Sequence, residues 1–170
     1  MKFLTLSFLV LFSFISNAQD PLKFSDIITV ENVSQKELFG RAKIWLAKYY
    51  KSSKDVIQTS DAETGQILGK ALYDFKPKSF MGSEAVKGNI AYTISIYSKD
   101  GKYKYIVEDF QHEKFGLLTT AEEGEFSMFG SSKGFKKKTW EDMKKQSEEE
   151  AKALSESLKL AMGKKSEADF

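Results

Sequence analysis

Two alternating runs, Asn89 to Ser98 and Lys102 to Phe110, are joined by Asp100-Gly101, and this feature restricts the fold of the 170-residue chain more tightly than any other. Asp-Gly suits a two-residue turn whose central residues take positive φ, and such a turn fixes the register of the strands it joins. Tyr97 then stands opposite Lys104, Ile96 opposite Tyr105 and Ile94 opposite Val107. Side chains alternate along a strand, so Ile94, Ile96, Tyr105 and Val107 form the core face. An antiparallel sheet must be built around this hairpin.

The flanking elements follow from local chemistry. Phe24 to Glu31 reads as a first strand, rich in β-branched residues. Ser34 and Glu37 have the spacing of a capping box, and Val33 and Leu38 that of a hydrophobic staple, which places a helix start at Ser34. Leu38, Ala42, Trp45, Leu46 and Tyr49 then recur at helical spacing as a core stripe, with Lys36, Arg41, Lys43 and Lys48 on the wet side. Asp55 to Ser60 and Gln66 to Phe75 make another hairpin, in which Gly69 marks a bulge. Lys76 to Gly88 is a connecting loop. Leu117 and Leu118 extend the sheet or cover its edge, and Glu122 to Lys138, rich in glycine, serine and lysine, reads as a mobile loop. Thr139 and Asp142 mark the start of a last helix, with Trp140, Met143, Ser147, Ala151, Leu154, Leu158 and Met162 on one stripe and Gly163 at its end. Lys144, Lys145, Glu148, Glu149 and Glu150 fall on the wet side of that helix. The order predicts an α+β domain, β-α-β4-α, with an antiparallel five-stranded sheet and two helices packed on one face.

Residues 1–18 read as a signal peptide: Lys2 is the basic start, Phe3 to Ile15 the apolar stretch, and Ser16-Asn17-Ala18 a cleavage site after Ala18. The apolar stretch is shorter than the roughly 20 residues a membrane-spanning helix needs, so the mature chain is expected to carry no transmembrane segment. Residues 19–163 form one domain, long enough to bury a sizeable core, and 164–170 a disordered tail. The chain has no cysteine, which excludes thiolate catalysis, zinc-thiolate sites and lipoprotein attachment. It has 26 basic and 24 acidic residues, and losing Lys2 with the leader leaves one positive charge in excess. That balance implies no nucleic-acid partner.

Val30-Glu31-Asn32-Val33-Ser34, Arg41-Ala42-Lys43 with Trp45-Leu46-Ala47, Asp55-Val56-Ile57-Gln58, Gly65 to Lys70, and Tyr92-Thr93-Ile94 through Lys99-Asp100-Gly101-Lys102-Tyr103 together give a pattern. It resembles a family of exported bacterial domains of unknown function with a TBP-like fold, over roughly Phe24 to Leu118. The resemblance implies that fold and a periplasmic, outer-surface or secreted setting, and it brings no catalytic residues. A shared fold carries no function with it.

His112 is the single histidine, flanked by Asp109 and Glu113. A strand there throws neighbouring side chains to opposite faces, so His112 reads as a solvated strand-end residue rather than a general base or metal ligand. G-x-S-x-G is absent, Ser131 and Ser132 beside Lys133 lie in a loop that gives nothing to desolvate the lysine, and Gly130 to Gly134 does not satisfy the phosphate-loop pattern. Neither a cofactor nor a metal site is expected. Two features point to binding. Tyr92, Tyr97 and Tyr103 crowd the central strands, where an open sheet face would let them line a groove. Lys133, Phe135, Lys136 and Lys137 make a basic aromatic patch suited to an anionic surface.

The expected function is an exported, non-catalytic binding or interaction domain, working through the open sheet face, the Lys76 to Gly88 loop or the basic loop. Its partner outside the cytoplasm would be a protein, a glycan or a lipid surface, and the chain itself a monomer or weak homodimer. The alternatives are a carrier of a small apolar ligand between the sheet and the C-terminal helix, and a hydrolase using His112 or paired carboxylates.

Overall fold

Strands β4 (Gly88–Lys99) and β5 (Lys102–His112) meet at Asp100-Gly101 in the register the turn chemistry dictates. Ile94 pairs with Val107, Ile96 with Tyr105 and Tyr97 with Lys104. The structure is a computed structural model that describes residues 20–78, 83–121 and 133–164. The expected signal peptide, most of the glycine-rich segment and the expected tail from residue 165 lie outside the described residues.

Around the hairpin, β1 (Phe24–Thr29), β2 (Ile57–Asp61), β3 (Gln66–Phe75) and the two-residue β6 (Gly116–Leu117) complete an antiparallel sheet of order β1-β5-β4-β3-β2, with β6 also beside β5. The sheet thus has six strands where five were expected. The difference is β6, which lets Leu118 turn inward to full burial and donate its amide to the Phe110 carbonyl at 2.7 Å. Gly69 sits at a bulge, but the extra residue belongs to the partner: the register shifts between Ile57 and Thr59.

Helix α1 (Gln35–Tyr49) starts where its cap predicts, the Ser34 hydroxyl accepting from the Glu37 amide at 3.3 Å. Glu37 does not close a capping box; its carboxylate pairs with Arg41 one turn on. Arg41 was placed on the wet side, yet its side chain is 9% exposed. The guanidinium also donates to the Met162 carbonyl, so it satisfies an orphan group at the far end of the last helix. Single turns α2 (Ser53–Val56) and α3 (Ser83–Val86) precede β2 and β4.

Helix α4 (Lys133–Gly163) begins six residues before the expected start, so part of the expected loop is helical. Lysines are good helix formers, and extending a helix that already exists is far easier than nucleating one. Its predicted stripe is correct at every position: Trp140, Met143, Ser147, Ala151, Leu154, Leu158 and Met162 are all buried. Two of its expected wet residues are not fully wet. Glu150 accepts from the Tyr92 hydroxyl at 3.2 Å, and Lys144 donates to the Ala121 carbonyl at 2.6 Å. Both long helices pack on the face that carries Ile67, Ile94, Ile96, Tyr105 and Val107.

A second bulge governs the end of β5. Between the pairs Thr93–Glu108 and Ala91–Gln111 the register shifts, and Asp109 takes φ 57°. Without it, alternation from Tyr105 and Val107 would send Phe110 and His112 to the outer face. With it, both turn inward and are fully buried.

Candidate functional site

The outer face of the sheet is left uncovered by the described elements. Its side chains are the alternates of the core residues, and they run in rows across the strands. One row is Ile27, Lys104, Tyr97, Gln66 and Asp61; the next is Ser25, Ile106, Ser95, Leu68 and Thr59. Ile27 and Leu72 are each 62% exposed and Leu68 38%. At the hairpin end, Lys99 stands directly opposite Lys102. Here the face forms an open groove of about 400 Å³ along Ile27, Tyr97, Ile106 and the lysines 99, 102 and 104.

The electrostatics of the groove follow from where its neighbouring acids are engaged. Asp100 accepts from the Gln35 amide at 2.7 Å, so its charge serves the first turn of α1. Glu108 pairs with Lys23 at 2.7 Å. Asp26 accepts from its neighbour's amide at 2.8 Å and meets Lys159 at 3.4 Å, which blunts the outer edge of β1. Lys99, Lys102 and Lys104 are exposed, and among the described residues none of the three forms an ion pair.

The tyrosines expected to share a groove are separated. Tyr97 is half-buried on the outer face. Tyr92 is 2% exposed on the helix face, where its hydroxyl meets that of Tyr50 at 3.0 Å and reaches Glu150. Burial pushes the Tyr92 and Tyr50 phenols well above the usual range, so both phenols stay protonated. Tyr103 borders the groove but is 1% exposed, with its hydroxyl buried and unpaired. The register already separates them: if Tyr97 opposes Lys104, Tyr92 and Tyr103 must point the other way. The lysines and aliphatics of the outer face were therefore legible from the same register. Of the basic patch, Lys137 is half-buried in the first turns of α4 and has a partner. The side chains of Lys133, Phe135 and Lys136 lie outside those described.

His112 is not a solvated strand-end residue. Its ring stacks on Phe115 at 4.7 Å and meets Phe75 edge-on at 5.8 Å. Nδ1 accepts from the Lys114 amide at 3.2 Å, and Nε2 is buried. Burial holds its pKa below the usual histidine value, offset in part by Glu113 and by the Val86 backbone. The folded chain thus resists a proton that the unfolded chain accepts near pH 6.5. Stability is expected to fall as pH drops below about 6.5, until the folded ring itself titrates. Urea midpoints of the native chain and of His112→Gln, compared at several values between pH 7.5 and 5, check this: the variant should lose most of the slope, and equal slopes would show that His112 does not contribute.

Two further grooves exist. A larger one of about 470 Å³ lies between α1 and α4, lined by Ile44, Trp45 and Leu160 and rimmed by Glu37 and Arg41. Glu37 and Arg41 are committed to each other, and Arg41 also to the end of α4. The other, about 400 Å³, follows Phe75 to Pro77 and Lys87 to Asn89. This connecting segment is tied to α4: Gln146 exchanges hydrogen bonds with the Lys76 amide and carbonyl, and Asp142 accepts from the Lys78 amide. The sheet–α4 interface, where an apolar ligand would be carried, is occupied by Tyr73, Tyr92, Phe110, Met143 and Ser147, with Tyr73 and Ser147 hydroxyls 2.9 Å apart. Among the described residues no group of three or more histidine, aspartate or glutamate side chains is placed to hold a metal ion, and no helix is long and apolar enough to cross a membrane.

Residues 24–113 match the family described as a domain of unknown function (DUF4468) with TBP-like fold. The chain belongs to that family. Among solved structures it is similar to a TBP-like protein from Parabacteroides distasonis, at 18% identity and TM-score 0.56, over 82% of this chain and 93% of the other. It is similar also to a DUF4468 family protein from Bacteroides ovatus, at 16% identity and TM-score 0.56, over 85% and 88% of the two chains. These likenesses concern the fold. No curated protein matches significantly.

Proposed function

We propose that this DUF4468 chain is an exported, non-catalytic domain that binds a macromolecular partner through the open face of its sheet. The carrying observation is the contrast between the two faces. One is sealed by α1 and α4, while the other presents Ile27, Leu68 and Leu72 to solvent between lysines, with no described element over it. Exposed aliphatics carry an unfavourable hydration term that a partner relieves; Ile27, Leu68 and Leu72 lie on the open face, Ile44 and Leu160 on the helices. The buried, aromatic-stacked setting of His112 supports a structural role for that ring over a catalytic one. The leader-like residues 1–18 support export.

A photo-crosslinking amino acid placed at Ile27 or Leu72, and for contrast at Lys152 on the exposed side of α4, tests this in cells that make the chain. The protein recovered from the exported fraction is expected to begin at Gln19. The sheet positions should give crosslinks that excess unlabelled chain competes away, and Lys152 none. Crosslinks from Lys152 alone, or a chain retained inside with residues 1–18 intact, would contradict the reading.

A further inference from the structure

The hairpin end of the open face has its own chemistry, and we infer that it takes an acidic polypeptide segment bearing aliphatic side chains. This rests on the open-face reading and names the partner class. Three exposed lysines stand together without ion pairs among the described residues: Lys99 directly opposite Lys102, and Lys104 opposite Tyr97. Like charges directly opposite each other on a sheet are destabilising, so the fold maintains a repulsion that an anionic partner would remove. Two nearby acids are engaged elsewhere: Asp100 accepts from the Gln35 amide of α1, and Glu108 pairs with Lys23. A chain whose formal charge is only +2 therefore concentrates three uncompensated cations at one site.

The apolar part of the groove selects among anionic partners. It is formed by Ile27 and Ile106, with half-buried Tyr97 as its one ring that reaches solvent, Tyr103 being fully buried. Single-stranded nucleic acids bind on successive aromatic platforms, which this face lacks. Aliphatic positions between lysines instead match leucine or valine alternating with glutamate or aspartate in an extended segment. A planar bilayer would meet the rim of such a groove before its floor.

The test is an NMR titration of the nitrogen-15-labelled chain from the exported fraction with a blocked peptide of about eight residues, alternating glutamate and leucine, at about 0.05 M and about 0.5 M salt. Amide shifts are expected at Ile27, Tyr97, Lys102, Lys104 and Ile106, with affinity falling about tenfold or more at the higher salt. The double variant Lys102→Glu, Lys104→Glu should keep the dispersed spectrum of the folded chain and weaken binding by about tenfold or more. No shifts, shifts confined to the α1–α4 groove, or equal binding of a serine-leucine peptide would overturn the inference. So would binding to phosphatidylglycerol vesicles without binding to the peptide, which would assign the site to lipid. If the Ile27 and Leu72 crosslinks form while the peptide fails, the open-face reading survives and the acidic partner does not.

Discussion

Gly65→Ala is expected to destabilise the fold by about 3 kcal/mol, whereas Gly101→Ala, at nearly the same backbone angle, is expected to cost about 1 kcal/mol. Both glycines end or make turns with positive φ, +70° and +72°. An alanine at either position incurs the left-handed penalty of an L-residue. The difference lies in what the new methyl meets. At Gly101 nothing lies within 4 Å. At Gly65 the methyl would stand 2.5 Å from the Ser98 carbonyl oxygen and 3.1 Å from the Gln35 side chain. Something must move there, and the nearest atom is backbone. The β2–β3 turn would be pushed off β4, endangering the 2.8 Å hydrogen bond from the Ser98 amide to the Gly65 carbonyl. Urea unfolding of the two variants measures the gap directly; equal losses would mean that the turn does not press on β4.

Phe110→Ala should cost still more, about 3–5 kcal/mol, because its ring is among the most enclosed in the chain. It is fully buried, stacks on Tyr92 at 5.5 Å and meets Phe24 edge-on at 5.7 Å. Truncation loses the transfer energy of the ring and leaves a void bounded by two other rings that are themselves held in place. The thermal midpoint is expected to drop by roughly 10 °C for a domain of this size. A loss below about 1 kcal/mol would show that Asp109 does not turn Phe110 into the core.

The hairpin register, the two core stripes and the Ser34 cap were legible because each rests on local chemistry: a turn dipeptide, a 3-4 period, a hydroxyl three residues before an amide. The bulge at Asp109 was not. Nothing in a period-2 pattern announces an inserted residue, and the one hint was an aspartate, which tolerates positive φ better than most side chains. Missing it left His112, the last residue of β5, expected in solvent. Arg41 was misplaced for a different reason: its partner, the Met162 carbonyl, lies 121 residues away, and helical periodicity says nothing about distant carbonyls. The site was half legible. Tyr97 was identified, but grouping it with Tyr92 and Tyr103 weighed aromatic content above strand parity. The register that placed Tyr97 opposite Lys104 already held the lysine groove.

The open sheet face and the helical layer are the two surfaces on which a partner could sit. Lysine acetylation footprinting can decide between them, with mass spectrometry comparing the purified chain to the chain in the cells that make it. Use of the open face should protect Lys99, Lys102 and Lys104 in cells, while Lys145 and Lys152 on the exposed side of α4 are modified equally in both samples. Protection at Lys145 and Lys152 with the three sheet lysines unchanged would contradict it.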